Sequence, residues 1–274
     1  MKTIRVMVNG IPGNMATLVA EHLQRDQCFE LVPFSLTGPD ITESSHRVLT
    51  TSVQLIHPKE REKKMSQIDR QDLISVDYTH PGAVNGNTDF YCNNRLPFVM
   101  GTTGGDRRLM EETVCRSKIC AVISPNMAKP IVGFQAMMAY AAKIFPNLFQ
   151  GYTLVVKESH QNGKADTSGT AKAMVEYFNQ LGIPFTENEI IKERRPDIQK
   201  TSWGIPEAFL RGHGWHTYSL LSSDKTVRME FTHNVNGRDV YAIGTLDAVL
   251  YLERKIRDGA KGRVFSMIDV LKGA

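Results

Sequence analysis

The sequence predicts an α/β protein. It has a Rossmann-like, doubly wound parallel sheet at the N-terminus and a smaller α+β domain with a mostly antiparallel sheet. Three observations predict this. Strand-length apolar runs alternate with helically spaced segments through the first half of the chain. A glycine turn separates the first run from the first helix. Beyond residue 213, strand patterns follow one another across short polar turns, as in an antiparallel meander.

Taken in order, residues 4–8 form the first strand, and residues 15–23 carry apolar side chains at helical spacing. Residues 29–36 read as a second strand, and 73–78, 97–100 and 121–124 as three more. An Ala- and Met-rich helix covers 130–145, a strand 152–158, and a helix 171–181 with Met174 and Phe178 on one face. The charged, Pro-containing stretch 187–206 reads as irregular. Strands are expected at 214–221, 226–233 and 240–243, and a final helix over 245–256. This order gives a dinucleotide-binding domain over 1–128, completed by 241–274. Residues 129–240 form a substrate-binding and oligomerisation domain.

Composition narrows the function. Of 274 residues, 41% are hydrophobic and 23% charged, an ordinary globular balance. The net charge is +4 without a Lys/Arg run, which argues against a nucleic-acid partner and fits small anions. Cys28, Cys92, Cys115 and Cys120 form no CxxC pair and no zinc-like spacing. They read as reduced thiols, most of them in the core, and no metal is expected. No apolar run spans a bilayer, so no membrane partner is expected. The first strand begins almost at once, which fits a cytoplasmic protein, or one of the plastid stroma if a transit peptide was removed.

Asn9-Gly10-Ile11-Pro12-Gly13-Asn14-Met15 joins the first strand to the first helix. Gly10 suits a tight turn. Gly13 lets the backbone approach a pyrophosphate at the helix N-terminus, where free N–H groups and the helix dipole favour an anion. The usual three-glycine fingerprint is reduced to GxxG, and a purely structural turn is the alternative. The second strand ends Phe34-Ser35-Leu36-Thr37-Gly38, with no acid before Asp40. The Ser35 and Thr37 hydroxyls suit a 2′-phosphate, so NADPH is favoured over NADH. Gly101-Thr102-Thr103-Gly104 ends a later strand, where it serves either a nicotinamide or an ordinary turn.

The most informative stretch is Glu158-Ser159-His160-Gln161-Asn162-Gly163-Lys164-Ala165-Asp166-Thr167-Ser168-Gly169-Thr170-Ala171. A strand runs into a loop with a His and a Lys four residues apart, and the loop enters a helix through Ser-Gly-Thr. His160 titrates ordinarily at about 6.5 and suits a proton donor. Lys164 and the hydroxyls and amides of Ser168, Gly169 and Thr170 suit carboxylates. Taken alone, such a His and Lys are surface residues more often than catalytic ones.

This loop resembles the E-(L/A)-H-H-x-x-K-x-D-x-P-S-G-T-A motif of dihydrodipicolinate reductases, and more closely the plant-type E-S-H-Q-x-x-K-x-D-T-S-G-T-A. The resemblance covers nearly the whole chain. It includes the Asn9–Met15 turn, Val76-Asp77-Tyr78-Thr79-His80-Pro81, Gly101-Thr102-Thr103-Gly104, Ser124-Pro125-Asn126-Met127, and Thr232-His233-Asn234 with Arg238. It implies reduction of 4-hydroxy-tetrahydrodipicolinate, or its dehydrated form, to tetrahydrodipicolinate with NADPH or NADH, on the way to diaminopimelate and lysine. It implies His160 and Lys164 as catalytic residues, and Gln161, Ser168, Gly169 and Thr170 as substrate contacts. For the cofactor it implies Asn9, Gly10, Gly13, Asn14, Met15, Thr79, Gly101, Thr102, Thr103, Asn126 and Met127, beside Ser35 and Thr37. The partners it implies are a small dicarboxylate and three further copies, in a homotetramer built through the second domain's sheet with the strands between Gly214 and His233 pairing across subunits. Gln161 replaces a second His of the bacterial motif, and Asn14 a cation of the nucleotide turn. A related imine reductase and a non-catalytic nucleotide-binding homologue therefore stay open as alternatives.

Overall fold

The structure is a computed structural model that describes residues 3–164 and 166–273. The chain divides into two units, Met1–Lys129 with Asp239–Ala274, and Pro130–Arg238. Elements in chain order are β1 (Ile4–Asn9), α1 (Asn14–Arg25), β2 (Phe29–Leu31), β3 (Phe34–Leu36), β4 (Ser45–Val48), β5 (Thr51–Ile56), α2 (Arg61–Met65), β6 (Leu73–Asp77), α3 (Val84–Asn93), β7 (Phe98–Met100), α4 (Arg107–Arg116) and β8 (Cys120–Ile123). The second unit follows with α5 (Lys129–Ile144), β9 (Thr153–His160), α6 (Gly169–Gln180), β10 (Ile191–Glu193), α7 (Pro196–Thr201), β11 (His213–Leu221) and β12 (Arg228–Asn236). The chain then returns to the first unit with α8 (Asp239–Arg257), β13 (Arg263–Phe265) and α9 (Met267–Lys272).

The first unit holds a six-stranded sheet, β13-β8-β7-β6-β1-β2, in which every ladder is parallel. Strand β6 is buried at every position, as a strand covered on both faces must be. A small sheet, β3-β5-β4, stands beside it. The second unit carries β10-β9-β11-β12, antiparallel except for the β10–β9 pair. Its core is Val156, Met174, Phe178, Tyr218 and Leu220, packed between the sheet and the helices. Burying each such side chain contributes about 1.5–3 kcal/mol. Among the described residues, no helix is long and apolar enough to cross a membrane.

The structure corrects several expectations. The strand expected at 29–36 is two strands in two sheets, divided at Pro33. Proline has no N–H for a ladder, and past it Phe34–Leu36 pairs with β5 instead. Residues 240–243 belong to α8, whose buried Ala242, Thr245, Leu246, Val249 and Leu252 keep helical spacing throughout. The stretch 187–206 contains β10 and a helix that starts at Pro196, where a missing N–H costs nothing. Only Cys120 is buried among the four thiols, and all four are free.

Candidate active site

Two places gather the residues singled out above, one in each unit. In the first unit, Gly10 sits at φ 104°, and a Cβ there would lie 2.3 Å from the Tyr78 carbonyl oxygen, so only glycine fits the turn. The turn leads to α1, whose N-cap Gly13 offers no side-chain cap and whose first turn holds no acid. The first amides of that helix are therefore open to an anion. A cavity of about 730 Å³ adjoins the turn, with Gly10, Gly13, Thr37, Arg61, Thr79 and Asn87 in its wall. Its size suits a nucleotide, and the glycine cradle and uncapped helix end fit a dinucleotide phosphate.

Of the expected cofactor residues, Gly10, Gly13, Thr37 and Thr79 line this cavity. Asn9 and Ser35 lie beneath the turn. Asn9 Oδ1 accepts from the Leu36 N–H, and its amide donates to the Tyr91 hydroxyl. Ser35 Oγ accepts from the Ile11 N–H. Both side chains are fully buried, so they shape the turn rather than face a ligand. Asn14 and Met15 open α1, Asn14 exposed and Met15 half-buried. Gly101 is half-buried, Thr103 exposed, Asn126 half-buried with Oδ1 accepting from the Ala128 N–H, and Met127 buried. None of these last six lies in the cavity wall.

Asp77 is the residue that sequence reasoning passed over here. Its fully buried carboxylate accepts from the Thr79 N–H and hydroxyl, the Thr102 hydroxyl, the Asn87 amide and the Tyr91 hydroxyl. One side chain thus fixes the loops after β6 and β7, and Thr102 faces Asp77 rather than solvent. Burial and the neighbouring carboxylate hold the Tyr91 phenol well above its ordinary range. The signal was an acid at the end of a strand that is apolar but for Ser75.

In the second unit, strand pairing aligns the chemistry. Glu158 on β9 stands opposite His216 on β11, which stands opposite His233 on β12. His160, two residues past Glu158, falls on the same face. It stands opposite Gly214, where a Cβ would come within 3.1 Å of the ring, so glycine gives the imidazole its room. His160 Nδ1 donates to the His213 carbonyl at 3.0 Å. Nε2 then presents its lone pair towards Glu158 Oε2, 3.9 Å away, with no hydrogen-bond partner and no exposed surface.

Glu158 is fully buried. Oε1 takes a very short bond from Arg194, and Oε2 accepts from the Ser168 N–H at 3.1 Å. Arg194 also donates to the Lys164 and Glu193 carbonyls, pinning the loop to the end of β10. Ser168 caps α6 through Oγ, which accepts from the Thr170 and Ala171 amides. Of the expected Ser-Gly-Thr clamp, the Ser168 and Thr170 amides are therefore already bonded. The Gly169 N–H and Thr170 hydroxyl have no acceptor among the described residues. Lys164 lies 3.4 Å from the exposed Asp166, and Gln161 is half-buried at the loop's start.

Burial pushes the His160 imidazole down to about 4, against the raising effect of Glu158 and with help from Arg194 and Lys164. Burial likewise lowers His216 and takes His233 to about 4. The row is thus neutral beside one buried carboxylate. Arg194 and His216 gave no signal in the sequence: the one lies in a charged run, the other in a plain strand pattern.

Comparison with known proteins places this arrangement. The model of "Dihydrodipicolinate reductase, N-terminus" matches residues 4–127, and that of "Dihydrodipicolinate reductase, C-terminus" residues 131–271. The Oryza sativa protein "Probable 4-hydroxy-tetrahydrodipicolinate reductase 1, chloroplastic" is 45% identical over 97% of this chain and 78% of its own length. An Arabidopsis thaliana protein named "4-hydroxy-tetrahydrodipicolinate reductase 1, chloroplastic" is 45% identical over 98% of this chain and 78% of its own. A solved structure of a dipicolinate-bound dihydrodipicolinate reductase from Paenisporosarcina sp. TG-14 shares the fold, with TM-score 0.68, 18% identity and coverage of 98% and 99% of the two chains. The chain belongs to the dihydrodipicolinate reductase family.

Proposed function

We propose that this chain is a pyridine-nucleotide-dependent 4-hydroxy-tetrahydrodipicolinate reductase serving diaminopimelate and lysine formation. The observation that carries the reading is the β9–α6 loop. It presents His160, Lys164 and the open Gly169 amide together, in a chain 45% identical to plant reductases of that name. The first unit is read as the dinucleotide-binding domain and the second as the substrate and association domain. Cytoplasm or plastid stroma is the compartment this implies.

When bound, the reduced nicotinamide supplies the hydride. Gly10, Gly13 and the α1 amides at Asn14 and Met15 hold the phosphates, and Thr79, Gly101, Thr103, Asn126 and Met127 the remainder, with the Thr102 hydroxyl held by Asp77 beneath them. Asn9 and Ser35 support the turn from below. Thr37 and Arg61 share the cavity wall, and Arg61 makes no ion pair among the described residues. That guanidinium, which lies 4.7 Å over the Phe90 ring, suits the 2′-phosphate of NADPH and takes the place of the cation missing at Asn14. Asp40, in the same wall, is the group that would favour NADH.

Lys164, the Gly169 N–H and the Thr170 hydroxyl hold the substrate carboxylates, with Gln161 as a neutral contact. His160 supplies the proton added next to the carbon that accepts hydride. The dianion raises the imidazole from its depressed value, so the acid charges when substrate arrives. Nε2 faces inward, so giving up that proton requires the ring to turn about Cα–Cβ. Holding both reactants in place supplies much of the barrier reduction.

Self-association is read from the second unit's sheet, whose β12 is an edge strand, and from an exposed ridge on α5. Met137, Tyr140, Ile144 and Leu148 stand 46–65% exposed along one side of the helix and the turn after it. An apolar ridge of this kind suits a further copy of the chain, in keeping with a homotetramer. The test of function is a coupled assay with the synthase that makes the substrate, following oxidation of NADPH and NADH in parallel. Substrate-dependent oxidation is expected, faster with NADPH. Nucleotide binding without oxidation of either would overturn the reading.

A further inference from the structure

The row across the second sheet leaves one electrostatic question open. His160 gives its Nδ1 proton to a carbonyl, so a lone pair on Nε2 faces a carboxylate oxygen that is also an acceptor. His216 Nε2 points at the same oxygen from 3.7 Å. His216 is 3% exposed, and neither of its nitrogens has a partner among the described residues. Buried polar atoms are nearly always satisfied, so two partnerless ring nitrogens converging on one carboxylate oxygen mark a place for a positive centre, with His216 in the tautomer protonated on Nδ1.

We propose that Glu158 Oε2, His160 Nε2 and His216 Nε2 form a binding site for one transition-metal ion of the zinc and cobalt type. The three donor atoms lie within 4.8 Å of one another. Two metal–ligand bonds of about 2.0–2.2 Å, end to end, span slightly more than either measured gap. An ion therefore reaches the carboxylate and either ring, and holding both rings at once requires the two Nε2 atoms, within 4.8 Å of each other, to close to about 3.3–3.6 Å. The outer contacts are those that ligands need. The His160 Nδ1–H is fixed by a carbonyl, and both Glu158 oxygens are oriented, one by Arg194 and one by the Ser168 amide. His213 does not compete, because its ring bonds the Phe209 carbonyl and the Ser159 hydroxyl.

Two neutral imidazoles and one carboxylate select zinc, cobalt, nickel or copper over magnesium and calcium, which prefer all-oxygen sites. Arg194 and Lys164 stand nearby and oppose a divalent charge, which weakens the site without removing its selectivity. His233, stacked on His216 at 4.6 Å, adds no charge. The consequence for catalysis rests on the proposed function. Metal on Nε2 would occupy the atom that must carry the proton and would lock the ring inward, making the ion a reversible inhibitor.

The test titrates chelator-treated full-length protein with Co²⁺, followed by visible absorption and by metal analysis after desalting. One Co²⁺ per chain is expected, with d–d bands, no thiolate charge-transfer band, and displacement by Zn²⁺. His216→Phe and Glu158→Gln should each weaken binding at least about tenfold. Should one variant fail to fold by circular dichroism, the other decides. Should both fail, the imidazole Nε2 resonances of the wild-type protein decide: two of them shifting with Zn²⁺ supports the site, and none shifting overturns it. Absence of d–d bands, bands that persist in the folded variants, or a thiolate band would each overturn the proposal. Binding is read without turnover. A metal site in a protein that never oxidises nucleotide would count against the proposed function alone.

Discussion

At the scale of single residues, His160 and Lys164 divide the work differently. His160→Ala should lower kcat about 100-fold with a small change in KM, because only the proton-transfer step loses its donor. Steady-state kinetics on the synthase product reads this, and a near-normal kcat would remove His160 from the role of acid. Lys164→Ala should instead raise the substrate KM about tenfold or more, through loss of a charge-assisted contact worth about 1.5–3 kcal/mol. Arg61→Ala should narrow the preference for NADPH over NADH about tenfold. An unchanged ratio would assign the 2′-phosphate elsewhere. His160 and Lys164 were legible because chemistry, spacing and helix entry coincide in fourteen consecutive residues. Arg61 and Arg194 were not, since a lone Arg in a polar segment looks the same whether it meets solvent or a buried carboxylate.

Among the elements, the sequence resolves what repeats and loses what is short. The strand at 4–8 and the helices at 130–145 and 171–181 were readable because their periodicity runs unbroken. The β4–β5 hairpin over Ser45–Ile56 escaped because His46, Arg47, Ser52 and Gln54 hide its alternation among polar side chains. Strand β13 is three residues long and pairs with β8 from the far end of the chain, a contact that no local pattern announces. Asp77 belongs to this scale, because one carboxylate ties β6, α3 and the loop after β7. Asp77→Ala would take an acceptor from five donors and leave three of them, the Thr79 N–H and hydroxyl and the Tyr91 hydroxyl, without their bond. It should destabilise the protein by about 3 kcal/mol or more, read as a lower urea midpoint, together with a raised KM for nucleotide. A stability loss below about 1 kcal/mol would show that these loops hold themselves.

The whole molecule responds to pH through its histidine row. His160, His216 and His233 are all lowered by burial, so the unfolded chain binds protons that the folded chain refuses. Stability from these groups is complete above the ordinary imidazole value of about 6.5. It is lost as pH falls from there towards about 4. Chelator-treated protein should therefore lose thermal stability steadily across that window. A flat profile between pH 6.5 and 5 would mean that the rings are already charged or open to solvent. Sedimentation should give the mass of four chains, and Tyr140→Glu with Ile144→Glu should reduce it. A wild-type monomer would leave the α5 ridge without its supposed occupant.

The return of α8 and β13 to the first unit has a practical corollary. A fragment cut after Lys129 would not be a free-standing nucleotide binder. It would lack the edge strand that closes the six-stranded sheet and the helix whose Ala248, Val249 and Leu252 are buried in that unit. Such a truncation should precipitate on expression. A chain with 130–238 excised and its cut ends joined by a glycine linker should stay in solution and still retain nucleotide on an affinity column.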